Sequence, residues 1–156
     1  MPNMSRIKMD KWNEEQGSLN VLRYFPIIPR LQRLFLSKDT STQTKWHKVY
    51  LKSDANLLRH PADGDAWKDF DEKYPDFALD PRNLRLGLAT DGFNPFGNMT
   101  NSYSMWPLLV IPYNLPPMQC TDQSNCLMAL LIPGPKSPAK DFDVFMQPLI
   151  RDLQIL

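Results

Sequence analysis

Asp91 ends the run Leu84-Arg85-Leu86-Gly87-Leu88-Ala89-Thr90 and precedes Gly92, so a single carboxylate stands where a strand should turn. A carboxylate so placed is a hard oxygen ligand suited to a divalent cation. The same Asp-Gly pair is also ordinary turn chemistry, and residue type alone leaves both roles open. Its acidic company is thin: the only glutamates are Glu14, Glu15 and Glu72, and the carboxylates after Asp91 are Asp122, Asp141, Asp143 and Asp152. Asp122 falls in a polar loop and Asp141 where a helix needs a cap. Asp143 and Asp152 fall within a final helical pattern.

The other reactive residue types are sparse. His47 and His60 could carry protons, although isolated histidines more often serve as hydrogen-bonded structural residues. Cys120 and Cys126 have no companion Cys or His nearby, which leaves the four-ligand set of a structural zinc site unfilled. They read instead as small apolar fillers on or beside a strand. Arg23, Arg30, Arg33, Lys45 and Lys48 form a basic cluster that could meet DNA phosphate or simply coat a solvated helix face.

The charge distribution sets that cluster in context. Residues 1–60 hold eleven Lys/Arg against five Asp/Glu, and residues 61–156 hold seven against twelve, so a basic arm precedes an acidic body. A phosphate-contacting segment beside a metal-binding carboxylate would have this polarity, and so would two ordinary solvated faces. Fifteen prolines in 156 residues, about twice the usual share of roughly 5%, require much loop and turn. No apolar run approaches the roughly 18 residues of a membrane span, and the N-terminus has no apolar signal core, so the expectation is a soluble intracellular chain without a membrane partner.

The elements that must position these residues follow from periodicity. Residues 1–20 read as a flexible polar lead with Trp12 as its only large apolar group. Between 22 and 36, Pro29 suits a first helical turn, with Leu31, Leu34 and Phe35 on the apolar side and Arg30 and Arg33 on the polar one. A second helix is expected from Thr40 to about Tyr50, with Trp46 and Val49 as its apolar side. Asp63-Gly64 should turn, and Asp65 should cap a helix to about Lys73 that buries Trp67 and Phe70. Pro75 and Pro81 bracket an expected loop holding Phe77 and Leu79.

After that the period becomes two. Leu84, Leu86 and Leu88 should share one strand face, followed by apolar runs at 105–112 and 127–132, the last closed by Pro133-Gly134-Pro135. Three consecutive strands imply an antiparallel meander packed with Trp106. From Asp141 the spacing is helical, with Phe142, Phe145, Met146, Leu149, Ile150 and Leu153 on one stripe and Pro148 inside it. This helix should cover one face of the meander.

Leu57 to Pro61, Asp63-Gly-Asp-Ala-Trp-Lys68 and above all Arg82-Asn-Leu-Arg-Leu-Gly-Leu-Ala-Thr-Asp-Gly-Phe-Asn-Pro-Phe96 closely resemble the transposases of plant CACTA elements, the Enhancer/Suppressor-mutator type. The resemblance takes in Leu22 to Phe35, Tyr113-Asn-Leu-Pro-Pro117 and Ile132-Pro-Gly-Pro-Lys136, and so covers most of the chain. It implies an α+β fold with an incomplete RNase H-like core in β-β-β-α order: a lead (1–20), a helical basic region (21–80) and the first half of the core (81–156). It further implies that Asp91 is the first metal-binding acid of a DDE-type site using Mg²⁺, that the partners are DNA element ends and a full-length transposase or a second copy, and that the location is nuclear. Strand transfer of this kind uses two Mg²⁺ ions about 3.5–4 Å apart, which one Asp cannot place. The chain is therefore expected to be a truncated, inactive piece, ending before the family's second acid and lacking the cysteine-rich segment of full-length relatives. Met118-Gln-Cys-Thr-Asp122 stands where relatives tend to carry an aromatic and a basic residue, a change that would weaken DNA contact.

Overall fold

A computed structural model describes residues 5–6, 21–51, 57–97, 103–135 and 137–156. The expected lead with Trp12 lies outside the described residues, except for Ser5–Arg6, which form a two-residue strand, β1. The fold is α+β. Strand β2 (Arg23–Tyr24) precedes α1 (Ile28–Gln32), a 3-10 turn at Arg33–Phe35, α2 (Lys38–Gln43) and α3 (Trp46–Val49). A 3-10 turn at Pro61–Asp63 leads into α4 (Asp65–Lys73) and α5 (Pro75–Leu79). Then come β3 (Leu86–Thr90), β4 (Trp106–Pro112), α6 (Pro117–Cys120), β5 (Leu127–Ile132), a 3-10 turn at Ala139–Asp141 and α7 (Phe142–Ile155).

The strands form one sheet in the order β1-β2-β5-β4-β3. The last three are thus neighbours in chain order, as a meander requires. β2 pairs antiparallel with β5, Arg23 opposite Leu131 and Tyr24 opposite Leu130, and the Phe93–Met105 bridge is antiparallel as well. Sequence reading missed β1 and β2, which are too short to show alternation. Along the backbone the chain divides into two compact units, residues 1–29, 88–109 and 128–156 in one and residues 30–87 and 110–127 in the other.

In the first unit Leu22, Ile27, Leu108, Ala129, Leu130, Ile132 and Leu149 are buried. Helix α7 buries Leu149 of the expected stripe, leaves Leu153 exposed, and runs unbroken past Pro148. Asp141 occupies the N-cap position, but its carboxylate accepts no capping bond. Further along, Asp152 Oδ2 accepts the Ile27 N–H at 3.0 Å and ties α7 to the segment after β2. Burial first, and the neighbouring Asp152 carboxylate second, raise the Tyr24 phenol above its ordinary value.

In the second unit the core residues are Leu31, Leu34, Ala62, Val110, Leu115 and Cys120. Several apolar residues expected inside lie outside: Phe35 and Phe70 are each 37% exposed and Val49 is 63% exposed. The first expected helix tightens into a 3-10 turn at Arg33–Phe35, and the second, expected from Thr40 to about Tyr50, is broken between Gln43 and Trp46, so i+3 and i+4 positions no longer share a face. The expected loop after Pro75 is helix α5, because proline at a first helical position supplies the φ a helix needs. Gly64, rather than Asp65, occupies the N-cap of α4; Asp65 lies in the first turn and pairs with Lys68 Nζ at 3.2 Å.

Candidate functional site

β3 delivers Asp91 to an exposed turn. Its Oδ1 accepts the Gly92 N–H at 2.7 Å. The turn is held firmly by its neighbours: Thr90 Oγ1 donates to the Pro107 carbonyl at 2.9 Å, and Phe93 and Met105 exchange backbone bonds of 2.9 and 2.8 Å. Gly92 has no room for a side chain, since a Cβ there would stand 2.6 Å from Trp106 Cε2. The Trp106 indole N–H is buried with no acceptor.

Among the described residues no three His, Cys, Asp or Glu side chains come together as a metal site would require. Asp122 Oδ1 accepts the Ser124 N–H at 3.1 Å and serves its own turn. Asp152 is engaged with Ile27 as above, and Asp143 is exposed on the first turn of α7. One exposed carboxylate with one oxygen already accepting a bond does not fit a pair of octahedral cations. Cys120 is a buried filler, its thiol pushed up first by that burial, and both cysteines are free.

The basic candidates fall in both units. Arg23 is exposed on β2; Arg30 lies on α1, Arg33 on the following 3-10 turn, Lys45 at the start of α3 and Lys48 within it. Arg33 and Lys48 are exposed. Burial, and then the adjacent positive charge of Arg33, lower the Arg30 guanidinium from its ordinary value. The Asp80 carboxylate is held down at about 2, first by hydrogen bonds from Arg82, with the charge of Lys45 as a smaller contribution.

Sequence reading missed a buried polar assembly in the second unit. His60 begins the turn at Pro61: its Nδ1 accepts the Ala62 N–H at 3.1 Å, while Asp63 Oδ2 accepts the N–H groups of Arg59 at 3.0 Å and His60 at 3.2 Å. This is a capping box with histidine in place of the usual hydroxyl residue, so its pattern did not register. Burial lowers the His60 imidazole below 6.5. Burial, followed by the charge of Arg85, lowers His47 likewise. The two imidazoles lie edge-on to tryptophans, His60 to Trp46 at 5.2 Å and His47 to Trp67 at 5.1 Å. Both are therefore packed structural groups.

Arg85 centres this assembly. Its guanidinium lies 3.9 Å from the Trp67 ring centroid and 5.3 Å from that of Phe70, and its Nη2 donates to Asp71 Oδ1. Asn114, fully buried, accepts the Arg85 N–H at 2.6 Å and donates to the Pro81 and Asn83 carbonyls at 3.2 and 3.0 Å. Strand alternation puts Arg85 and Gly87 on the face opposite Leu84, Leu86 and Leu88. Gly87 is buried and Leu88 is 50% exposed, because the Tyr113 ring covers Gly87 where no Cβ would fit. Pro61, Ala66, Trp67, Phe70, Phe77 and Tyr113 are among the walls of an open, mainly apolar cleft of about 390 Å³ beside Arg85.

These features define an α+β chain with a basic helical segment and an exposed acidic turn at the end of a strand. None of its described helices is long and apolar enough to cross a membrane. Residues 55–156 match the family described as Transposase family tnp2. The match spans more than half of the chain, which therefore belongs to that family; its function is related to DNA transposition, with DNA as the implied partner. No curated protein and no solved structure matches the chain.

Proposed function

We propose that this chain is the DNA-engaging part of a CACTA-type, DDE-class transposase, and that by itself it holds DNA without cutting it. The observation that carries this reading is that Asp91 is exposed while, among the described residues, no three His, Cys, Asp or Glu side chains come together as a metal site. Its place after the first strand of a β-β-β-α series supports an RNase H-like core in which Asp91 is the first of several acids. In a complete site Mg²⁺ would polarise the phosphate and activate the attacking oxygen. Within this chain Asp91 can supply one ligand only. Binding would fall to the basic residues of α1 to α3, where Arg33 and Lys48 are exposed. A plant nuclear setting accords with this reading.

Electrophoretic retardation of duplex DNA at rising salt tests it. Retardation should weaken steeply with salt, as counterion release requires, and Arg33→Glu with Lys48→Glu should abolish it. Unchanged binding by the double variant would remove α1 to α3 from the interface.

A further inference from the structure

We propose that the cleft beside Arg85 receives one unpaired nucleobase of the DNA, held between aromatic walls with its acceptor edge toward the arginine. The choice of occupant rests on the DNA-binding reading above. Trp67, Phe70, Phe77 and Tyr113 wall an open space of about 390 Å³, ample for one planar ring. Phe70 and Phe77 meet edge to face at 5.4 Å, and Phe70 keeps 37% of its surface exposed. Every base has a π-face, so stacking on such rings needs no particular sequence.

Among the described residues that line the cleft, Arg85 is the only charged one. Its side chain is 13% exposed; Nη2 donates to Asp71, while Nε and Nη1 are buried with no acceptor among the described residues. Buried donors left unpaired are costly, so a ligand that brings acceptors to them gains what the chain does not supply. Asp71 already balances the positive charge, and the walls are apolar. A carbonyl oxygen or ring nitrogen therefore satisfies these donors at a lower desolvation cost than a phosphate would. A nucleobase carries such acceptors on a flat ring. Helical spacing puts Ala66, Trp67 and Phe70 on the cleft side of α4 and Asp65, Asp69 and Glu72 on the rest of its surface. No described carboxylate lines the cleft to oppose a strand whose phosphates stay outside it.

The test is titration of the full chain with thymidine and with deoxyguanosine, which carry no phosphate, while the Trp67 indole N–H resonance is followed by NMR. A saturable shift is expected. Ala66→Leu fills the mouth from an exposed position, and Phe70→Leu removes a stacking ring but leaves the wall apolar. With amide spectra that match the parent, each variant should bind the nucleosides about tenfold more weakly. In a second arm, retardation of a duplex with one extrahelical base is compared with that of the same duplex carrying an abasic residue there. The parent should prefer the base about tenfold, and both variants should lose the preference while binding the abasic duplex as the parent does. The proposal is overturned by the absence of a saturable shift, by a shift that both variants leave unchanged, or by a base preference that is missing or survives in both variants. If the parent retards neither duplex, the DNA-binding reading fails instead, and the nucleoside titration alone decides the cleft.

Discussion

Two acidic side chains in this protein have opposite fates. Asp63 is buried and fixes two backbone N–H groups around His60, whereas Asp91 is exposed and accepts only the N–H of its neighbour. A buried carboxylate whose Oδ2 accepts two backbone N–H groups has structural work. An exposed one in a pinned turn contributes little to the fold and remains available to a ligand. The resemblance to transposases directs attention to Asp91, while the stability of the second unit rests on Asp63, Arg85 and Asn114.

Substitutions should separate the two. Asn114→Ala removes three hydrogen bonds in a fully buried place, and urea unfolding should register a loss of about 3 kcal/mol. Gly87→Ala forces a methyl group into the Tyr113 ring and should cost about 1–3 kcal/mol by the same measurement. Asp91→Ala should lie within about 0.5 kcal/mol of the parent, since it gives up one exposed local bond. A large loss at Asp91 together with a small one at Asn114 would reverse the comparison.

Acid should expose the same division. His47 and His60 both titrate below their ordinary 6.5 when folded, so the folded chain binds fewer protons than the unfolded one. Their contribution is complete above about 6.5 and is lost as pH falls through the lower folded values. Asp80, held at about 2 against an ordinary 3.8, contributes above 3.8 and loses that contribution as pH falls towards 2. Stability measured against pH should therefore decline in two stages, and His60→Asn, which retains a capping oxygen, should flatten the first. An unchanged first stage would show that His60 is not the titrating group.

The strands at 86–90, 106–112 and 127–132 and the final helix were legible because each has a full period of its own. The short helices were less so. The 3-10 turn at Arg33–Phe35 and the break at Thr44 reset the helical phase and left Phe35 and Val49 outside. Strand β2, with two residues, leaves no periodic trace, and α5 begins at a proline that also reads as a loop boundary. Asp91 was singled out by the resemblance that its neighbours in sequence carry. The Arg85 assembly was not, because it depends on tertiary neighbours: Asp71, Trp67 and Asn114 meet Arg85 only in the fold.

The most direct measurement is a nicking assay on supercoiled DNA with the purified chain, with and without magnesium, beside Asp91→Ala. DNA bound but left intact in every lane is the result predicted by a solitary carboxylate. Magnesium-dependent nicking by the parent chain that disappears in Asp91→Ala would contradict it.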